Sequence, residues 1–223
     1  MNIEKNFSLS FKIFKHTVRS ILPFIILYTV CLFFVSIDIE IILNRTEDDI
    51  PITNLVIGFV VQLLYFILIT QFIFHKINKT KVKFNLKLII ESIYKIIGLY
   101  ALILIPPIFI IIVLISINPG ASFLFGIIPF LLFVTIFSNY LIINQSENII
   151  QSIIKSYIIV TNNLSSVIIL IMINIAFWFL INIAAAIGQT FSPLIGIIFA
   201  NILNYLVSIF NIQFYFLLNT KYK

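Results

Sequence analysis

Asn201, Asn204, Ser208 and Asn211 follow one another at steps of three, four and three, which on a helix brings four neutral hydrogen-bonding side chains onto one stripe. Other apolar stretches carry further amides and hydroxyls: Asn174 and Asn182, Gln62, Thr70 and Gln71, and Ser138 with Asn139. Such groups donate and accept hydrogen bonds without charge, so the ligand they suit is zwitterionic or hydroxyl-bearing. Unpaired amides in hydrocarbon are costly, and each must meet another helix, water or a polar ligand. The stripe therefore has two readings. One is interhelical bonding that fixes a bundle, worth about 0.6 kcal/mol per contact; the other is the wall of a polar conduit.

Groups that transfer protons are scarce. No Asp, Glu, Lys, Arg or His falls near the centre of any apolar stretch, which removes the usual signature of proton relays, ion-coupled carriers and voltage sensors. His16 and His75 stand far apart with no ligand spacing around them, so no metal is expected. Glu147 reads as a carboxylate answering a helix N-terminus; as a catalytic base it would need a partner such as His75 converging on it. No phosphate loop, HExxH, GxSxG or paired CxxC occurs. The single Cys31 excludes an internal disulfide and a cysteine metal cluster. The expectation is a protein that is not an enzyme and holds no cofactor.

The elements that position these residues follow from composition. Of the 223 residues 61% are hydrophobic and 10% charged, whereas soluble domains carry about 25% charged residues. The chain is expected to be a polytopic membrane protein. Its apolar runs are Ser20 to Ile37, Ile52 to Phe74, Ile96 to Ile117, Ser122 to Ile143, Leu164 to Ile187 and Leu194 to Leu218. Each approaches or exceeds the ~20 residues that cross a hydrocarbon core. The first is taken as a retained span, because no small-x-small cleavage site follows it. Asn118-Pro119-Gly120 reads as a tight turn, and Pro106-Pro107 and Pro129 are expected to bend the third and fourth spans.

The stretch Glu147 to Asn163 organises the chain. Its polar residues Asn148, Gln151, Ser152, Lys155, Ser156, Asn162 and Asn163 recur at helical steps, opposite Ile149, Ile150, Ile153, Ile154, Tyr157 and Ile158. That pattern predicts an amphipathic helix lying at a membrane surface with its isoleucines in the acyl boundary. Phe7, Phe11, Phe14 and Val18 against Lys12, Lys15, His16 and Arg19 repeat it, as do Leu86, Ile89, Ile90 and Ile93 against Lys87, Glu91, Ser92 and Lys95. The expected fold is all-α: one membrane domain over residues 1–223, with six transmembrane helices and three interfacial helices. Its three units, each a lead-in plus a hairpin, cover about 7–74, 84–143 and 147–218.

Charge distribution predicts orientation. Thirteen of the fourteen Lys and Arg residues lie in the N-terminal arm, the segment between spans two and three, the organising helix and the C-terminal tail. Six spans place all of these on one side, which the positive-inside rule makes cytoplasmic, together with both termini. Arg45 alone among the basic residues falls on the other side, with five of the eight acids. Without a basic cluster interleaved with aromatics, nucleic acid is not an expected partner. Membrane lipids are expected partners, and an inner-membrane protein is a further candidate.

Glu147, Lys155-Ser156, Thr161 and Asn163 before span five, and SPLIGIIFANILNYLVSIFNIQFYFLL at the end, together resemble the YciC family of bacterial inner-membrane proteins, a group without an assigned activity. The resemblance implies a bacterial cytoplasmic membrane location and about six spans. It supplies no reaction. The expected function is that of a non-enzymatic envelope or membrane-homeostasis protein that binds a partner; the alternative is a passive lipid or small-solute pathway along the Asn stripe.

Overall fold

The computed structural model describes residues 3–43, 52–80 and 85–219. Arg45, Glu47, Asp48 and Asp49 of the acidic connection, Lys81 and Lys83 of the basic segment, and Lys221 and Lys223 of the tail lie outside the described residues. Among the described residues every regular element is helical: α1 (Ile3–Leu43), α2 (Ile52–Ile77), α3 (Leu86–Ile117), a 3-10 helix (Pro119–Gly126), α4 (Ile127–Val134), α5 (Ser138–Gln145), α6 (Ile149–Asn162), α7 (Leu164–Gln189) and α8 (Pro193–Asn219).

Among the described residues six stretches are long and apolar enough to cross a membrane: Glu4–Leu32, Val56–Ile77, Leu86–Ile117, Leu124–Gln145, Leu164–Gln189 and Pro193–Asn219. The 26 residues of α7 reach about 39 Å, beyond the ~30 Å hydrocarbon core. The fold defines an all-α, multi-pass membrane protein.

The three amphipathic lead-ins are helical, but only the last is a separate element. The first runs unbroken into its span within α1, which passes through Pro23 and continues beyond Asp38 to Leu43. The second is the opening of α3, started by Asn85, whose side chain accepts from the Lys87 N–H at 3.0 Å. Neither junction holds a pair of residues that stops a helix. At the third, Asn162 and Asn163 do: α6 closes with the Asn163 N–H on the Val160 carbonyl, and α7 begins at the next residue.

Two compact units emerge. The first is built from α1 and α2 with Ile168–Phe216 of α7 and α8. Tyr28 stacks on Tyr65 with ring centroids 3.7 Å apart, joining α1 to α2. Phe7, Phe177 and Phe210 meet pairwise at 5.6–5.8 Å, joining α1, α7 and α8. The α7–α8 hairpin turns through Thr190–Ser192, and beside the turn the backbones nearly touch. A Cβ on Gly188 would lie 2.6 Å from the Gly196 Cα.

The second unit contains α3, the 3-10 helix, α4, α5 and α6. Asn118 ends α3 and accepts the Gly120 N–H on its side chain at 3.0 Å, which makes the expected turn. The fourth span is broken, at Thr135–Phe137 rather than at Pro129. Pro129 sits in the first turn of α4, where a missing N–H costs least. At the break the Thr135 hydroxyl donates to the Leu131 carbonyl at 2.7 Å, a back-bond that bends helices.

Candidate functional site: the span amides and the broken fourth span

The amide stripe of α8 divides between two tasks. Asn201 is buried and donates to Thr29 Oγ1 of α1 at 2.9 Å. Thr29 in turn donates to the Ile25 carbonyl at 2.8 Å, so its hydroxyl is used in both senses. Four residues further along α8 the arrangement recurs: the Tyr205 hydroxyl donates to Thr17 Oγ1 at 2.7 Å, and Thr17 donates to the Ile13 carbonyl at 2.8 Å. Asn211 and Asn174 exchange two bonds of 2.9 Å, tying α8 to α7, and Asn174 also donates to the Leu170 carbonyl.

The remaining stripe residues do not join these clamps. Ser208 donates within α8 to the Asn204 carbonyl. The Asn204 side chain is exposed and makes no hydrogen bond among the described residues. Asn182 is exposed on α7 and donates to the Trp178 carbonyl at 2.7 Å. Their depth follows from the hairpin register. Gly188 faces Gly196 near the turn, and Asn174 faces Asn211 farther along. Counted between these two crossings, Asn182 and Asn204 stand within about two residues, or ~3 Å, of one level. In α2, Gln62 is exposed, Gln71 half-buried and Thr70 buried.

Sequence periodicity did not single out the polar residues that α1 buries. Asn6, Ser10, Thr17 and Thr29 are buried, while Phe7 and Phe11 of the apolar face are 43% and 54% exposed. Neither polar atom of the Asn6 side chain has a partner among the described residues. The signal was present as small polar residues at helical steps, but an apolar face is the buried one only when the solvent is water.

In the second unit, α6 clamps the broken span. Ser156 Oγ accepts the Phe137 N–H at 3.1 Å and donates to the Val134 carbonyl at 2.9 Å, bridging both lips of the break. Ser138 donates to the Ser152 carbonyl at 3.1 Å. Both Ser152 and Ser156 are 0% exposed. The opposite face of α6 shows Ile150 at 66%, Ile154 at 53% and Tyr157 at 51%. This helix buries Ser152 and Ser156 and displays Ile150, Ile154 and Ile158.

The other residues of the motif hold α6 in place. Asn148 caps it by accepting the Gln151 N–H at 2.8 Å. Glu147 pairs with Lys155 across two turns. Thr161 and Asn163 bond back to the Tyr157 and Ile159 carbonyls at 2.9 Å. Ser146, at φ 52°, ends α5 in the left-handed region, and Lys95 donates to its carbonyl at 2.9 Å while pairing with Glu91. Asn139 donates to the Tyr100 hydroxyl at 2.7 Å. His75 is engaged by Thr80 Oγ1 at 2.8 Å, and His16 is exposed. Among the described residues no group of His, Cys, Asp and Glu could hold a metal ion.

The chain has no significant match to a protein-family model, a curated protein or a solved structure. Its site is therefore defined by geometry: a hairpin with two exposed amides at one depth, and an amphipathic helix strapped to a broken span.

Proposed function

We propose that this is a non-enzymatic, partner-binding protein of the bacterial inner membrane, with both termini cytoplasmic, of the kind the YciC resemblance implies. The observation that carries this reading is the division of labour along α8. Asn201 and Asn211 are closed onto Thr29 and Asn174, which leaves no continuous polar row for a conduit. Asn204 is exposed and unbonded at the level of Asn182. An unmet amide at mid-depth in hydrocarbon is destabilising until another polar group reaches it. Polar groups of this kind join transmembrane helices, so a helix of another membrane protein is the fitting partner.

Photo-crosslinking in intact membranes tests this. A photoreactive residue at Ile183, beside Asn182, should give one recurrent protein adduct that Asn204→Leu abolishes. Adducts with bulk lipid alone would refute partner binding. Lipid or solute movement through the purified protein in vesicles, lost in the Asn201→Leu/Asn204→Leu/Asn211→Leu variant, would establish the pathway instead.

A further inference from the structure

We infer that the bilayer itself is the ligand of α6, and that its hold on the exposed isoleucine face keeps the break in the fourth span closed. Two observations on opposite sides of one helix lead here. On the inner side, the Ser156 hydroxyl takes the Phe137 N–H and gives its proton to the Val134 carbonyl, while the Ser152 carbonyl receives Ser138. The two Ser156 bonds satisfy a carbonyl and an N–H on the two lips of the break at Thr135–Phe137, where the helical ladder is interrupted, and the Ser138 bond ties its far side to α6. On the outer side, Ile150, Ile154, Tyr157 and Ile158 are 42–66% exposed.

Chain continuity names what covers that outer face. Three residues separate α6 from α5, the end of one membrane-spanning stretch, and Asn163 alone separates it from α7, the start of another. A helix tethered so closely at both ends stays at the membrane, and its side chains match the level. The isoleucines suit the acyl boundary, while Lys155 and Glu147, paired with each other, suit the headgroup zone. On the inner side these serine bonds act together with the buried Ile159 and Val160 to hold α6 against the break. Burial of four large apolar side chains in lipid adds a second restraint acting on the same rigid helix.

The consequence is a coupling. Whatever lifts α6 from the acyl boundary moves Ser152 and Ser156 together, because they are one turn apart on one face, and takes the bridge away from both lips of the break. The inference concerns the second unit and stands independently of partner binding by the α7–α8 hairpin.

Two measurements on the full-length protein in phosphatidylethanolamine/phosphatidylglycerol discs test it. The first is fluorescence of Ile154→Trp in a Trp178→Phe background, with lipids brominated either near the glycerol or near the methyl end of the chain. Quenching should be strong, and stronger with the shallow bromines; no quenching by either lipid places the face against protein or water and overturns the inference. The second is hydrogen exchange over residues 134–138. Ser156→Ala should speed exchange there by about tenfold. Ile150→Ser/Ile154→Ser/Ile158→Ser should do so as well, although every bond between α6 and the break is left intact. Wild-type exchange in that triple variant, beside fast exchange in Ser156→Ala, would show that the bilayer has no hold on the break.

Discussion

Asn174 and Asn211 form a reciprocal amide pair in which each side chain donates to and accepts from the other at 2.9 Å. The pair crosses from α7 to α8 far from their turn and fixes the register at which the hairpin closes. Replacing either residue by Leu leaves the other amide facing hydrocarbon with its main partner gone. We expect Asn211→Leu to cost about 1–2 kcal/mol and Asn174→Leu/Asn211→Leu to recover part of it, with a coupling of ~0.6–1.7 kcal/mol. Unfolding in bicelles across the double-mutant cycle measures this; strict additivity would mean that the pair contributes nothing.

Thr29 and Asn201 predict an asymmetry. Without Asn201, Thr29 keeps its bond to the Ile25 carbonyl, whereas without the Thr29 hydroxyl the buried Asn201 loses its acceptor. Thr29→Val should therefore destabilise by about 1–2 kcal/mol more than Asn201→Leu. Equal losses in the same unfolding assay would contradict the assigned direction of the bond.

Close approach of the hairpin backbones depends on glycine. Gly188→Ala places a Cβ 2.6 Å from a backbone atom that cannot step aside, whereas a Cβ on Gly126 meets nothing within 4 Å. Thermal unfolding should show a loss of about 1–3 kcal/mol for Gly188→Ala and under about 0.5 kcal/mol for Gly126→Ala.

Ser152 and Ser156 look alike in sequence but differ in what they hold. The Ser152 hydroxyl bonds the Ile149 carbonyl of its own helix, and its link to α5 runs through its backbone, which any residue supplies. Ser156→Ala removes the hydroxyl on both lips of the break and should cost about 1–3 kcal/mol, against under about 0.5 kcal/mol for Ser152→Ala. Stability measured in discs separates the two; a reversed order would move the clamp elsewhere.

Orientation is testable by labelling in a Cys31→Ala background. Thr190→Cys, in the turn of the α7–α8 hairpin, should react in intact cells with a maleimide that cannot cross the membrane. Lys12→Cys and Lys155→Cys should react only after permeabilisation. The opposite pattern would invert the proposed topology.

Much of this architecture was legible from residue type. Length and apolarity mark the six spans without any knowledge of packing, and Asn118, Asn148 and Asn163 act at the ends of helices as their chemistry implies. Sequence did not mark where helices fail to stop. The junctions at Ser20 and Ile96 carry no terminating pair, so the lead-ins merged into α1 and α3. The break at Thr135–Phe137 is set by bonds to Ser156, nineteen and twenty-two residues away, which no local pattern records. The buried face of α1 was hidden for a different reason. In a bilayer the apolar face can look outward, leaving Asn6, Ser10 and Thr17 to the interior.

The two threonines of α1 also bear on assembly in time. Asn201 lies 172 residues downstream of Thr29, so α1 is synthesised long before the helix that docks on it. During that wait Thr17 and Thr29 carry no idle proton, since Ile13 and Ile25 of their own helix already receive both. These two threonines thus add no unmet donor to α1 while it waits in lipid. Asn201 and Tyr205 are translated later and find their acceptors already in place.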